Sequence, residues 1–228
     1  MTNLLDRRKL IFGGFGALTC SIFPQTVFAS KAATVFSLLW GGIEVGYSKI
    51  ELSKKGSTTI ANIEVDIAVK ILNFDAFSYK LQNKETWSGN SLLKIASETK
   101  IGKKTDYVKG KSTKTGFEID GSGFSGKIEG NPATTSYFSP EFLKRKIWIS
   151  TQNGDPLNII ATKIGVDKAK TKDGYLPANL WRITGDIELD LLYGADGQWL
   201  GSRFKAGGAQ AEFELKNKTG NMDVLWKS

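Results

Sequence analysis

Two pairs of carboxylates are the first residues whose types and spacing could support chemistry. Glu64 and Asp66 are two residues apart, and so are Glu188 and Asp190. Residues two apart on a strand share a face, which places their carboxyl groups about 7 Å apart, and inverting glycosidases use a similar separation. Both pairs alternate with apolar residues, so they belong to the strand face that normally contacts solvent. A carboxylate enzyme acting on polysaccharide is therefore one hypothesis, and a solvated sheet surface is the other.

Other catalytic chemistry is restricted by the absence of one residue type. The chain contains no histidine, which excludes Ser-His-Asp and Cys-His catalysis and the usual zinc and copper ligand sets. Its single cysteine is Cys20, and haem and iron–sulfur sites need Cys or His ligands. We predict no cofactor and no metal, and we expect no catalytic residues.

Aromatic residues are the main candidates for binding. The chain has 6 tryptophans and 6 tyrosines. Such side chains fill the core of many β proteins, but around an apolar cavity they would contact a lipid or another amphipathic ligand. Both interpretations stay open. The candidate ligand-binding residues are Tyr79, Trp87, Trp181, Tyr193 and Trp199.

Basic residues exceed acidic ones, which gives a formal net charge of +8. Lysines beside turns favour solubility and protect sheet edges, and a basic surface also attracts anionic partners. We expect no nucleic acid as a partner, because the chain is predicted to be exported. The basic positions are Lys54, Lys55, Lys100, Lys103, Lys104, Lys109, Lys111, Lys114, Lys144, Arg145 and Lys146.

The N-terminus has the three-part pattern of a secretory signal. Arg7 and Arg8 precede an apolar run, and Ala29 follows at a site suited to signal peptidase. We therefore predict a signal peptide over residues 1–29, and a periplasmic or secreted location after its cleavage. The paired arginines resemble the twin-arginine signal. Asp6 stands where that signal usually has Ser or Thr, so the general secretory route stays open, as does lipid modification of Cys20.

Residues 30–228 read as a single β domain. Ile63, Val65 and Ile67 alternate with polar residues, as in a strand with one solvent-facing side, and 187–193 has the same pattern. Glycine-containing turns recur at short intervals. The predicted fold is all-β, an antiparallel meander forming a barrel or a strongly curved half-barrel, because closure protects the sheet edges. At most one short helix is expected, over 139–146, and 121–132 is expected to be a glycine-rich loop.

Three segments resemble an uncharacterised family of exported bacterial β proteins, a domain of unknown function. They are Trp40-Gly41-Gly42-Ile43-Glu44-Val45-Gly46, the stretch from Tyr79 through Glu85-Thr86-Trp87-Ser88-Gly89-Asn90, and Leu191-Leu192-Tyr193-Gly194-Ala195-Asp196-Gly197-Gln198-Trp199-Leu200. A more distant similarity is to periplasmic half-barrels that carry lipoproteins or lipids. The resemblance implies a β fold and brings no catalytic residues.

The leading functional hypothesis is a non-enzymatic periplasmic binder of an apolar or amphipathic ligand, such as a lipid, or of an envelope partner. Membrane contact is expected to be peripheral at most. Two alternatives stay open: a carboxylate-dependent enzyme acting on envelope polysaccharide, and a structural or interaction protein without a ligand cavity.

Overall fold

The computed structural model describes residues 30–71 and 74–228. The predicted signal peptide, with Arg7, Arg8 and Ala29, lies outside the described residues. Its cleavage and the export route therefore stay predictions.

Strands make up most of the described chain, and two short helices accompany them. One is a 3-10 helix, Pro140–Lys144, and the other is α1, Met222–Lys227. The strands are β1 (Ser30–Trp40), β2 (Ile43–Lys55), β3 (Thr58–Ile71), β4 (Phe74–Ser88), β5 (Ser91–Ile101), β6 (Lys104–Thr113), β7 (Gly116–Gly121), β8 (Ser125–Ile128), β9 (Ala133–Thr134), β10 (Ile147–Ile149), β11 (Pro156–Thr171), β12 (Gly174–Gly185), β13 (Leu189–Tyr193), β14 (Trp199–Ala206) and β15 (Ala209–Thr219).

All fifteen strands belong to one sheet. Its order is β8-β7-β6-β5-β4-β3-β2-β1-β15-β14-β13-β12-β11-β10-β9. Sequence neighbours pair as antiparallel hairpins throughout most of the sheet, which confirms the predicted meander. The exceptions are parallel contacts between β9 and β10 and between β11 and β15. The first and last strands, β1 and β15, are neighbours at the centre of the sheet.

The hairpin turns coincide with the glycine positions that marked them in the sequence. Gly41 and Gly42 join β1 to β2 with φ of 58° and 86°, a conformation that residues with a Cβ atom rarely adopt. The turns after β2, β4, β5 and β14 also contain glycine at positive φ, and Gly174, at positive φ as well, is the first residue of β12 after the turn that follows β11. Local turn chemistry therefore explains why the strand boundaries could be read from the sequence.

The sheet curls until its two ends make contact. The Gly123 amide, after β7, donates to the Asn153 carbonyl, after β10, at 2.8 Å. A Cβ atom on Gly121 would lie 2.5 Å from the same carbonyl oxygen. We call the approach of Gly121 and Gly123 to Asn153 the closure contact. It agrees with the predicted barrel or curved half-barrel.

Aromatic side chains and the two helices fill one end of the curled sheet. Trp87 of β4 stacks on Phe142 of the 3-10 helix, with ring centroids 5.0 Å apart. Trp226 of α1 packs against Trp87 and Phe138 at 5.1 and 5.2 Å. We call these four residues, Trp87, Phe138, Phe142 and Trp226, the aromatic cluster; all four are buried.

Three local expectations need correction. The helix expected over 139–146 is a 3-10 helix, which Ser139 caps through its hydroxyl. The expected loop 121–132 contains β8, whose residues extend the sheet beyond β7. The 187–193 segment contains β13, and its outer face is only partly exposed to solvent: Glu188 is exposed, but Leu192, which points away from the buried Leu191, is buried as well.

Candidate binding site

The five candidate aromatic residues are distributed over two parts of the core. Trp87 belongs to the aromatic cluster. Tyr193 and Trp199 lie around Tyr137: the Tyr193 hydroxyl donates to the Tyr137 carbonyl at 2.8 Å, and the Trp199 and Tyr137 rings are 6.0 Å apart. All three predicted residues are buried by contacts within the protein.

Tyr79 and Trp181 are half-buried and pack against the edge of the core. Burial raises the pKa of Tyr79 to about 12, so this hydroxyl stays neutral at physiological pH. A ligand role for the five aromatic residues stays a prediction.

The interior also holds a carboxyl group that the sequence did not single out. Glu85 of β4 is fully buried and accepts hydrogen bonds from Asn83 Nδ2 and Trp87 Nε1, each at 2.8 Å, and from the Ser136 hydroxyl. Burial raises the pKa of this carboxyl, against the opposite effect of its hydrogen-bond donors. Through these contacts the Glu85 carboxyl links the 133–136 segment to β4.

The paired carboxylates lie on the solvent-facing side of the sheet. Asp66 forms an ion pair with Lys80 at 2.9 Å, and Asp190 is bonded by the Arg182 guanidinium at 2.9 and 3.2 Å. Glu64 is exposed and accepts from the Tyr47 hydroxyl, while Glu188 is exposed just before β13. Three of these four carboxylates therefore form a hydrogen bond or an ion pair with a residue of the neighbouring strand.

A groove of about 750 Å³ lies on the outer face of β4 to β8. Alternation along the strands directs Glu85, Ile95 and Ile119 inward, where they are buried, so their neighbours point outward. The outward residues lining the groove are Lys84, Thr86, Lys94, Ala96, Lys109, Lys111, Glu118 and Asp120, and Gly126, the register partner of Ile119, borders it. We call this the lysine groove.

The strand register arranges these residues in two parallel rows. One row runs across the strands as Lys84, Ala96, Lys109 and Asp120, and the next as Thr86, Lys94, Lys111 and Glu118. Adjacent strands are about 4.8 Å apart, so Lys84 and Lys109 stand about 10 Å apart with the small Ala96 between them. The lysine side chains therefore surround a lower part of the surface, where Ala96 lies.

Positive charge dominates the lysine groove. Lys94 and Lys111 are directly opposite each other across β5 and β6, an arrangement of like charges that weakens a sheet. Lys111 is 3.5 Å from Glu118, whereas Lys84, Lys94 and Lys109 form no ion pair with any described residue. An anion placed over the rows would offset this repulsion.

The contrast with a second lysine pair supports this interpretation. Lys80 and Lys100 are also directly opposite each other, on β4 and β5. Each has its own carboxylate, Asp66 at 2.9 Å and Glu98 at 3.2 Å. Opposed lysines are therefore neutralised locally outside the lysine groove, but less completely within it.

The sequence alone does not identify this site. Lys109 and Lys111 were recognised as basic, but Lys84 and Lys94 were not singled out, and no pattern within a single strand connects the four. Their alternation with buried residues indicated the outward face. The rows depend on the register between β4, β5, β6 and β7, which the sequence does not show.

Other site classes find no support in residues 30–71 and 74–228. No group of three or more Asp, Glu, Cys or His side chains gathers there in a metal-ligand arrangement. The helices of this part of the chain are too short or too polar to cross a bilayer.

The comparisons with known proteins agree with the fold. Residues 36–216 match the model of a family described as a domain of unknown function, DUF6134. The chain belongs to this family. No curated protein matches it. A crystal structure of a β-barrel-like protein of the domain of unknown function DUF1849 from Brucella abortus is similar, with a TM-score of 0.56 and 9% sequence identity, covering 83% of this chain and 97% of that one. The DUF6134 match confirms the predicted uncharacterised β family, and the Brucella structure supports a barrel-like fold.

Proposed function

We propose that this DUF6134 protein is a non-enzymatic binding protein of the cell envelope that holds an amphipathic anion in the lysine groove. The observation that carries the proposal is the set of three lysines, Lys84, Lys94 and Lys109, without ion-pair partners in the described residues around a shared concave surface. The envelope location rests on the signal-peptide pattern of residues 1–29.

The lining of the groove offers contacts for both the acidic headgroup and the apolar part of such a ligand. Lysine ammonium groups attract an acidic headgroup, while their methylene stems and the Ala96 methyl offer apolar contact. A volume of about 750 Å³ falls within the range of small-molecule sites. The proposal therefore specifies both the charge and the amphipathic character of the ligand.

The interior supports placing the ligand outside the sheet. Trp87, Tyr193 and Trp199 are enclosed by other side chains, so a ligand reaching them would have to displace packed aromatic contacts. Ion pairing of Asp66 and Asp190 with basic neighbours favours a structural role for those carboxylates over a catalytic one.

Binding of short-chain phospholipids tests the proposal. The protein is recovered from the periplasmic fraction of an expressing bacterium and titrated by calorimetry with monomeric dihexanoylphosphatidylglycerol or dihexanoylphosphatidylcholine. We expect the anionic lipid to bind more tightly, with an affinity that falls as salt is added. Equal binding of both lipids would contradict the anion specificity, and recovery only from the cytoplasm would contradict the location.

Matched charge variants test the site itself. K84Q/K94Q/K109Q removes the three unpaired lysines and should weaken binding of the anionic lipid by about tenfold or more. K55Q/K103Q/K205Q removes the same charge at exposed positions outside the groove, and its affinity should stay close to that of the parent. Equal losses in both variants would mean that only net charge matters.

A further inference from the structure

One face of the β11–β12 hairpin carries exposed apolar and basic side chains together. Alternation places Tyr175, Pro177 and Trp181 of β12 on the same face. Their register partners on β11 are Lys170, Lys168 and Lys163, and Val166 lies opposite Asn179 between them. We call the exposed members of this face the hairpin strip: Lys163, Val166, Lys168, Tyr175 and Pro177.

The opposite face of the hairpin is fixed to the rest of the sheet. Ala169 and Ala178 are buried. Asp167 bonds to Arg203 of β14 at 2.8 Å, and that contact holds the pKa of Asp167 below its usual range. At the edge of the strip's own face, Lys170, the register partner of Tyr175, pairs with Glu214 of β15 at 3.0 Å. These anchors hold the hairpin in place and leave the strip facing outward.

The apolar members of the strip are unusually accessible. Val166 is 79% exposed and Tyr175 is 65% exposed. Ile164, in the β-bulge between Lys163 and Gly165, is a further exposed apolar residue beside the strip. Isolated exposed apolar residues are common on protein surfaces, but here several lie along one short hairpin.

The lysines of the strip are free to meet an external anion. Lys163 and Lys168 form no ion pair within the described part of the chain, and neither does Lys172 at the hairpin tip. Asp173, also at the tip, is the one acidic side chain on the exposed connection between β11 and β12. The exposed side of the hairpin therefore carries net positive charge.

We propose that the hairpin strip docks the protein peripherally on an anionic lipid membrane. Val166 and Tyr175 contact the boundary between headgroups and acyl chains, and Lys163, Lys168 and Lys172 contact lipid phosphates. Tyrosine favours this interface because its ring is apolar and its hydroxyl is polar. The alternation of lysines with apolar residues favours a membrane over a protein partner, since the cores of protein interfaces are depleted of lysine.

Flotation with lipid vesicles tests the docking surface. The full chain is mixed with vesicles of phosphatidylcholine alone or of phosphatidylcholine with phosphatidylglycerol. We expect flotation with the mixed vesicles only. K163Q/K168Q/K172Q should weaken this association by about 100-fold, since each lysine near an anionic surface contributes about fivefold. V166S/Y175S should weaken it by about tenfold through loss of apolar insertion.

Two control variants distinguish an effect of the strip residues from an effect of net charge or of exposed apolar residues in general. K55Q/K103Q/K205Q and I43S/F77S change similar residues at exposed positions elsewhere, and both should float like the parent. All variants share one N-terminal segment, so their differences report on the substituted residues. The lysine-groove variant K84Q/K94Q/K109Q should still float, which distinguishes failure of this docking from failure of the groove.

Several outcomes would overturn the proposal. They are flotation with both vesicle types alike, losses in the control variants equal to those in the strip variants, and absence of flotation. Strip-dependent capture of an acidic protein, without vesicle binding, would assign the surface to a protein partner instead.

Discussion

Glu85 illustrates how one residue can connect two parts of this fold. Its carboxyl accepts hydrogen bonds from Asn83 and Trp87 on its own strand and from Ser136 on the segment across the interior. A buried acceptor with three donors is costly to remove, because each donor then loses its partner. The residue stabilises the attachment of the 133–136 segment.

The raised pKa of Glu85 predicts a pH dependence of stability. In the unfolded chain the carboxyl ionises around its ordinary pKa of 4.5, whereas burial delays ionisation in the folded protein. The contribution of Glu85 to the free energy of unfolding is therefore complete below pH 4.5 and is lost as the pH rises toward the raised pKa. We expect E85Q to be less stable than the parent by about 1–3 kcal/mol at acidic pH, with a gap that narrows as the pH rises.

Urea unfolding over a series of pH values measures this gap. E129Q, which changes an exposed glutamate, serves as the control and should follow the parent at every pH. A gap between the parent and E85Q that does not change with pH would contradict the assigned direction of the pKa shift.

At the residue scale, the sequence predicted which face of a strand a side chain occupies but not which residues it contacts. Alternation correctly indicated a solvent-facing position for Glu64 and Asp66. It could not indicate that Lys94 lies opposite Lys111, since that depends on the register between β5 and β6. Burial of Glu85 was equally hidden, because its donor Ser136 is distant in sequence.

The C-terminal helix α1 shows how packing can stabilise an element that has weak local preference. Asn221 caps it by accepting from the Val224 amide at 3.0 Å. Trp226 inserts into the aromatic cluster, and its Nε1 donates to Asn90 Oδ1 at 2.9 Å. A six-residue helix is unstable in isolation, so these tertiary contacts account for its presence.

Removing the Trp226 side chain should therefore destabilise the protein strongly. We expect W226A to lower the free energy of unfolding by about 3–5 kcal/mol, as for other large aromatic residues removed from a core. Urea unfolding followed by far-ultraviolet circular dichroism measures the change without relying on tryptophan fluorescence.

V224A provides a matched control on the same helix. Val224 is 61% exposed, so its truncation should change stability by less than about 0.5 kcal/mol. Because alanine has a higher helix propensity than valine or tryptophan, helix propensity cannot explain a loss in either variant, and similar losses in V224A and W226A would contradict the role assigned to insertion of Trp226.

Element-scale prediction succeeded where the signal was local. Glycine-rich turns and period-two alternation marked most of the hairpins, because both signals lie within a few consecutive residues. Helix α1 and strand β8 were missed, since the first depends on Trp226 packing and the second on pairing with β7.

At the scale of the whole molecule, the closure contact joins the two ends of the curled sheet. A Cβ atom at Gly121 would approach the Asn153 carbonyl oxygen to 2.5 Å, against backbone that has little freedom to move. We expect G121A to lower the free energy of unfolding by about 1–3 kcal/mol through this overpacking, as measured by urea unfolding.

G126A is the corresponding control on the same part of the sheet. The three atoms nearest to a Cβ atom there all belong to the ring of Phe124, and a side chain can shift more readily than backbone, so the loss should be smaller than in G121A. If G126A were the more damaging change, the closure contact would not be the constraint that we describe.

Closure itself was predictable, because a long antiparallel sheet with two open edges is prone to aggregation. The strands that meet were not predictable. The contact joins residues 121–123 to residue 153 through backbone groups, which carry no sequence signature.

The central position of β1 and β15 has a consequence for synthesis on the ribosome. β1 can pair with β2 as soon as both strands have emerged, but its other edge has no partner until β15 has been made. Thirteen intervening strands are translated first, and during that time the nascent chain presents an unpaired edge in the middle of its future sheet. Unpaired strand edges promote aggregation, so a chaperone that covers this edge should raise the yield of the native protein.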